Sequence, residues 1–295
     1  MREDIEIKTH DQTTLRGWFF PVEKIVAPVI VMSPGFSGIK DNFLDIFAER
    51  FQQAGFAVFL YDHRNWGASD GLPRHHTNNY EQTQDTHDVI HYVSNRSDVD
   101  SERIAIWGSS YSGGIAITAG AVDPRIKVVV TQVPFVSGRM TRERFPKTLL
   151  AKIYSDRGET TSMEPTYIPI FPATAEEAEN SNNGAVLGTK ESWDHLQIIQ
   201  EKGKVRENKV TLQSFFHAIR AEPSAFIAQL APKPLFMVVA LQDSLIDPQA
   251  QLEVFAMAGE PKELLELDCG HFRVYRDNVF EKNIAAQIAF LERHL

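Results

Sequence analysis

Short apolar runs alternate along the chain with longer stretches of helical spacing. Residues 15–20 read as an early antiparallel strand. Residues 28–32 form an apolar run that stops at Ser33-Pro34-Gly35, a turn signal. In 41–53, Phe43, Leu44, Phe47 and Phe51 fall on one helical face, and Gly55 follows where a helix-terminating glycine belongs. Further strands are expected at 56–61, 103–107, 126–131, 235–241 and 264–267, and helices at 80–93, 111–121 and 278–295. Strands alternating with helices predict an α/β architecture, with a mostly parallel sheet joined by crossovers and covered on both faces.

The stretch 135–230 breaks that rhythm. It carries polar segments such as Thr160-Thr161-Ser162 and Asn180-Ser181-Asn182-Asn183-Gly184. Yet Trp193, Leu196, Ile198, Ile199, Phe215, Phe216 and Ile219 supply apolar faces to bury. An inserted helical lid is expected there, over a core formed by 1–134 and 231–295.

A hydrophobic share of 43% over 295 residues is that of a soluble chain with a full core. Thirty Lys and Arg against 39 Asp and Glu leave a net charge of −9. That balance disfavours nucleic acid and anionic membrane as partners, because both need clustered cations. Cys269 is the single cysteine, so no internal disulfide is available. Met1-Arg2-Glu3-Asp4-Ile5-Glu6 has no apolar signal region, and runs such as 235–241 are too short to span a bilayer. A cytoplasmic protein is expected, and a homodimer is compatible with the pattern.

The chemistry concentrates at Trp107-Gly108-Ser109-Ser110-Tyr111-Ser112-Gly113-Gly114, between an expected strand and an expected helix. A nucleophilic serine at a sharp strand-to-helix turn needs small residues two before and two after it. Ser110 meets this with Gly108 and Ser112. Ser112 is the runner-up, half a turn into the helix, and Ser109 has the bulky Trp107 at the minus-two position. The strict pattern wants glycine where Ser112 stands. The bland alternative, a phosphate-binding loop, lacks a Walker lysine and the G-x-G-x-x-G order.

A serine hydroxyl needs a base, and in folds with this elbow the acid and then the histidine follow in sequence. Asp243 stands just past the strand 235–241, where the acid is expected, whereas Asp247 before Pro248 reads as a helix N-cap. His271, after Gly270 in the loop beyond the last strand, is the expected base, oriented by Asp243. Asp268 and Cys269 read as loop and packing residues. The oxyanion donors expected are the amide of Tyr111 and one from Ser33-Pro34-Gly35-Phe36-Ser37-Gly38, with Phe36 preferred and Gly35 or Ser37 as register alternatives.

Other clusters read as structural. His87 and His91 sit at i and i+4 like a zinc-binding helix, but no third ligand follows and no metal is expected. His75-His76 reads as an exposed loop. Asp62 and Arg64, in a turn-rich segment, are expected to tie loops together beneath the site.

Together these pieces resemble the α/β-hydrolase superfamily, through Pro34-Gly35-Phe36, Asp62, Arg64, Gly67, Ser69, Gly108, Ser110, Tyr111, Asp243 and Gly270-His271. The stretch 61–138 is similar, more narrowly, to a microbial and largely fungal group of polyketide transferases and thiohydrolases of secondary metabolism. Residues 107–114 and Gln132-Val133-Pro134-Phe135-Val136-Ser137-Gly138 carry that likeness. The resemblance implies an α/β-hydrolase fold with an inserted lid and no cofactor. It implies acyl transfer from an ester or thioester, free or carrier-bound, through an acyl-serine to water or an alcohol. Phe135 and Trp193 are expected to line an apolar acyl pocket with Phe36 and Tyr111. A general carboxylesterase, a C–C cleaving or cyclising enzyme and a ligand-binding module with a vestigial triad are the alternatives.

Overall fold

A computed structural model describes residues 2–23, 26–180, 183–202 and 207–295, so Ser181 and Asn182 of the polar stretch lie outside the described residues. In chain order the strands are β1 (Glu3–Lys8), β2 (Thr14–Phe20), β3 (Ala27–Ser33), β4 (Ala57–Tyr61), β5 (Val99–Ser109), β6 (Ile126–Gln132), β7 (Tyr167–Ile168), β8 (Val210–Thr211), β9 (Leu235–Ala240) and β10 (Lys262–Leu267). The helices are α1 (Leu44–Gln53), α2 (Asn79–Ser94), α3 (Tyr111–Val122), α4 (Gly138–Glu143), α5 (Lys147–Glu159), α6 (Ala175–Ala178), α7 (Lys190–Glu201), α8 (Gln213–Ala218), α9 (Pro248–Met257) and α10 (Asp277–His294).

Eight strands among the described residues form one sheet in the order β1-β2-β4-β3-β5-β6-β9-β10. β1 with β2 and β2 with β4 pair antiparallel, and the remaining neighbours pair parallel. This is the α/β-hydrolase arrangement the resemblance implies. Strict alternation splits each central strand between two cores. Ile30, Met32, Ala105, Trp107, Val128 and Val130 pack on the face covered by α1 and α10. Val29, Val31, Ile104, Ile106 and Val129 pack on the face covered by α2, α3 and α9.

One strand and two element starts differ most from expectation. β1 is an unexpected edge strand, because Glu3–Lys8 buries Ile7 alone among its six residues and so shows almost no apolar signal. β5 starts at Val99 rather than 103: the buried Val99 pairs with Ala27 ahead of a largely exposed polar stretch, 100–103, that carries no apolar signal. α1 starts at Leu44 rather than 41, since Phe43 sits at φ 70°, which interrupts a helix.

Between β6 and β9 the chain forms α4 to α8 and the short β7–β8 ladder. Leu196, Ile199, Phe215 and Ile219 are buried there, as their pattern anticipates, while Trp193, Ile198 and Phe216 are half-buried. No helix among the described residues is long and apolar enough to cross a membrane.

Candidate active site

Ser110 occupies the turn between β5 and α3 with φ 56° and ψ −121°. A non-glycine residue there is strained, at a cost of about 1–3 kcal/mol. The surroundings hold it in place. The Ser110 amide donates to the Gln132 carbonyl at 2.8 Å, and the Phe135 amide donates to the Ser110 carbonyl at 2.8 Å. A Cβ on Gly108 would lie 2.0 Å from the Ser112 carbonyl oxygen, and one on Gly113 would lie 2.6 Å from Pro134 Cβ. Glycine is therefore required two residues before the turn. Serine is tolerated two after it, because the close contact is with the Ser112 backbone rather than its side chain.

The rival serines are occupied. Ser109 is fully buried and bonds Tyr275 Oη, with Gln132 Nε2 donating to it at 3.2 Å. Ser112 Oγ donates to the Pro34 carbonyl and lies 2.7 Å from His63 Nε2. With the Ser112 proton committed to Pro34, His63 must donate from Nε2, and its buried Nδ1, which has no partner among the described residues, fits the neutral tautomer. Burial pushes the His63 ring down to about 3, which agrees.

His271 Nδ1 lies 2.6 Å from Asp243 Oδ2, and both side chains are buried. The other Asp243 oxygen accepts the Leu245 and Ile246 amides at 2.8 and 2.9 Å. A carboxylate facing Nδ1 places the imidazole proton there and leaves Nε2 as the acceptor. Burial opposes charge on His271, but the Asp243 carboxylate, its hydrogen bond and the charge of Glu191 outweigh it, so the ring sits above the ordinary histidine value. Ser110 and His271 line one cavity of about 60 Å³. No hydrogen bond joins them among the described residues; such contacts commonly close only when substrate binds.

The loop after β3 presses on the serine. A Cβ on Gly35 would lie 2.9 Å from Ser110 Cβ and 3.4 Å from its Oγ, so only a glycine backbone fits. The Gly38 amide closes a turn onto the Gly35 carbonyl at 2.9 Å, with Ser37 at φ 57°. The Phe36 and Tyr111 amides donate to no acceptor among the described residues, and Tyr111 opens α3, where the helix dipole favours negative charge.

The cavity walls also include Phe171, Leu187, His195 and Ile199 from the segment between β6 and β9. Phe135 and Trp193 are not among them. Phe135 packs on Tyr111 with ring centroids 5.3 Å apart and lines a neighbouring groove of about 710 Å³. Leu245 borders both spaces. Trp193 packs in an apolar cluster with Phe171, Leu196 and Val210, behind the wall rather than on it.

The remaining sequence readings resolve locally. Asp62 accepts from Lys40 Nζ at 2.7 Å and from the Ala68 amide at 2.9 Å, and Arg64 binds Asp85 and Asp11, so this segment does tie loops together. Asp247 caps α9 through the Gln249 amide. His87 bonds Asp123 at 2.9 Å and His91 is exposed. Among the described residues no group of three or more His, Cys, Asp or Glu is arranged to hold a metal ion. Burial pushes the Cys269 thiol up to about 11, which removes it as a nucleophile at neutral pH. His75 and His76 are half-buried, not exposed: His76 Nδ1 lies 2.7 Å from Thr211 Oγ1 of β8, a packing partner 135 residues away that local pattern does not reveal. From α7, His195 lines the cavity and Glu191 packs against Phe272 and Ser244 beside it, and neither carries a motif that marks it in the sequence.

The profile of the serine aminopeptidase S33 family matches residues 25–270. The chain belongs to that family. It is an enzyme of the α/β-hydrolase fold. It is 31% identical to polyketide transferase af380 of Aspergillus fumigatus, over 100% of this chain and 99% of that protein. It is 27% identical to a thiohydrolase of Eupenicillium brefeldianum, over 88% of this chain and 84% of that one. The α/β hydrolase GrgF from Penicillium sp. sh18 superposes with a TM-score of 0.86 at 30% identity, covering 100% of this chain and 99% of that one.

Proposed function

We propose that this protein is a serine-dependent acyl hydrolase or acyltransferase for a hydrophobic ester or thioester of secondary metabolism, with the acyl group presented free or on a carrier. Ser110 Oγ attacks the acyl carbonyl while His271 Nε2 takes its proton. Asp243 holds the tautomer and stabilises the imidazolium. The Phe36 and Tyr111 amides receive the developing oxyanion. The departing alcohol or thiol takes the proton back, and water or an acceptor alcohol, deprotonated by His271, then releases the acyl group from Ser110.

The observation that carries this reading is the buried Asp243–His271 pair at 2.6 Å, facing the same cavity as a strained serine turn. The names of the relatives support the acyl and polyketide part. Residues 135–230 act as the lid over a core of 1–134 and 231–295. About 60 Å³ at Ser110 holds no more than a few waters, so the lid shifts to admit an acyl chain from the groove across Leu245. The protein works in the cytoplasm on a small-molecule substrate.

The test is Ser110→Ala against p-nitrophenyl esters and acyl thioesters, with fluorophosphonate labelling in parallel. Both turnover and labelling should drop to background. A variant that keeps full turnover removes the acyl-serine.

A further inference from the structure

One carboxylate of the segment over the site bridges the loops that carry Asp243 and His271. Glu191 lies in the first turn of α7. Its Oε1 accepts the amide of Phe272, the residue after His271, at 2.7 Å. Its Oε2 accepts from the hydroxyl of Ser244, the residue after Asp243, at 3.1 Å. A Cβ on Gly270 would lie 2.5 Å from Oε1, so the loop carries glycine where the carboxylate packs. Beside it, His195 of the same helix stacks on Phe272 with ring centroids 3.9 Å apart.

We propose that Glu191 is a positioning residue that couples the docking of α7 to the readiness of His271. Docked, it fixes the backbone at 270–272 and adds a second negative charge beside the imidazole. Undocked, both are withdrawn, so the site is fully basic only when covered. This rests on the Ser110–His271–Asp243 reading above.

The charged and titratable groups around His271 are few. Asp243 and Asp268 come from the loops after β9 and β10, and Glu191, Asp194 and His195 from α7. Arg273 and Arg276 come from the 3-10 turn 273–275 and its end. Arg273 is engaged by Asp277 at 2.6 Å. Tyr275 and Cys269 stay neutral at working pH, their burial pushing them up to about 12 and about 11. After Asp243, Glu191 is the negative group that acts on the ring.

The experiment is the pH profile of kcat/KM with p-nitrophenyl butyrate for wild type, Glu191→Gln and Glu191→Asp, with amide exchange at Phe272. Removing the charge makes the imidazolium easier to deprotonate. The acid limb of Glu191→Gln should therefore move to lower pH, by on the order of half a unit to one unit. Glu191→Asp keeps the charge but shortens the reach: its limb should stay near wild type while Phe272 exchanges faster. A Glu191→Gln limb that superimposes on wild type overturns the proposal, as does unchanged Phe272 exchange in Glu191→Asp. Fluorophosphonate labelling of wild type and Ser110→Ala runs alongside. Equal labelling of the two overturns the triad reading and this coupling with it. Loss of labelling in Ser110→Ala with an unmoved Glu191→Gln limb overturns the coupling alone.

Discussion

Asp243→Asn tests the role proposed for Asp243, and the geometry of its two oxygens makes the outcome specific. One Asp243 oxygen accepts two backbone amides, from Leu245 and Ile246, and the other accepts His271 Nδ1. An asparagine keeps its carbonyl oxygen on the two amides, because those donors cannot face an NH₂ group. That turns the NH₂ toward His271 Nδ1, which must then accept. The ring proton moves to Nε2, and the nitrogen facing Ser110 can no longer take a proton. In a serine protease the same exchange costs about 10⁴-fold in kcat, or ~5.5 kcal/mol of barrier. We expect a loss of about 10³–10⁴-fold in kcat on p-nitrophenyl butyrate, with KM within about threefold since Asp243 is not on the cavity wall. The thermal midpoint should hold, as the two amide bonds survive. Retention of more than a tenth of wild-type kcat would refute the tautomer argument.

Three further outcomes follow from single contacts. Gly108→Ala forces a Cβ to 2.0 Å from the Ser112 carbonyl oxygen, so urea denaturation should show a loss of about 2 kcal/mol or more and fluorophosphonate labelling should fail; normal labelling at wild-type stability would contradict the elbow geometry. Ser112→Ala frees the Pro34 carbonyl and His63, loosening the loop that carries Phe36, and kcat/KM should fall about tenfold (~1.4 kcal/mol) with folding retained; an unchanged kcat/KM would sever Ser112 from the role proposed for that loop. His63 stays neutral in the fold down to about 3, whereas the unfolded ring protonates near 6.5, so the unfolded state gains the extra proton and stability falls as pH drops below about 6.5. His63→Gln lacks that part, and the gap in unfolding free energy between wild type and variant should narrow by about 1 kcal/mol between pH 7 and 5.5; a constant gap would mean that the ring titrates alike in the folded and unfolded chain, and a widening gap that the buried ring is charged.

The sheet was legible because its central strands are apolar on both faces and punctuated by glycine and proline, as at Ser33-Pro34-Gly35 and Phe56 after Gly55. The edge strand β1 was not, since it shows one buried side chain in six. The turn at Ser110 and the approach of His271 to Asp243 were legible from strand-end position together with the small residues Gly108, Ser112 and Gly270 around them. Asp243 could be separated from Asp247 because Pro248 marks a helix start. Phe36 on the cavity wall was legible, but the walls supplied by the segment between β6 and β9 were not. Whether Trp193 or Leu187 faces the serine depends on how α7 and the loop before it fold back over the sheet, which no local periodicity encodes. The same holds for His76 against Thr211 and for Glu191 against Phe272, pairs 135 and 81 residues apart.

The most direct measurement is rapid-quench mass spectrometry of the enzyme mixed with a p-nitrophenyl ester, followed by peptide mapping. One added acyl group is expected, on the peptide containing Ser110, accumulating during the burst and absent in Ser110→Ala. An adduct mapped to another residue, or steady turnover by Ser110→Ala at the wild-type rate, would contradict the proposed acyl-serine.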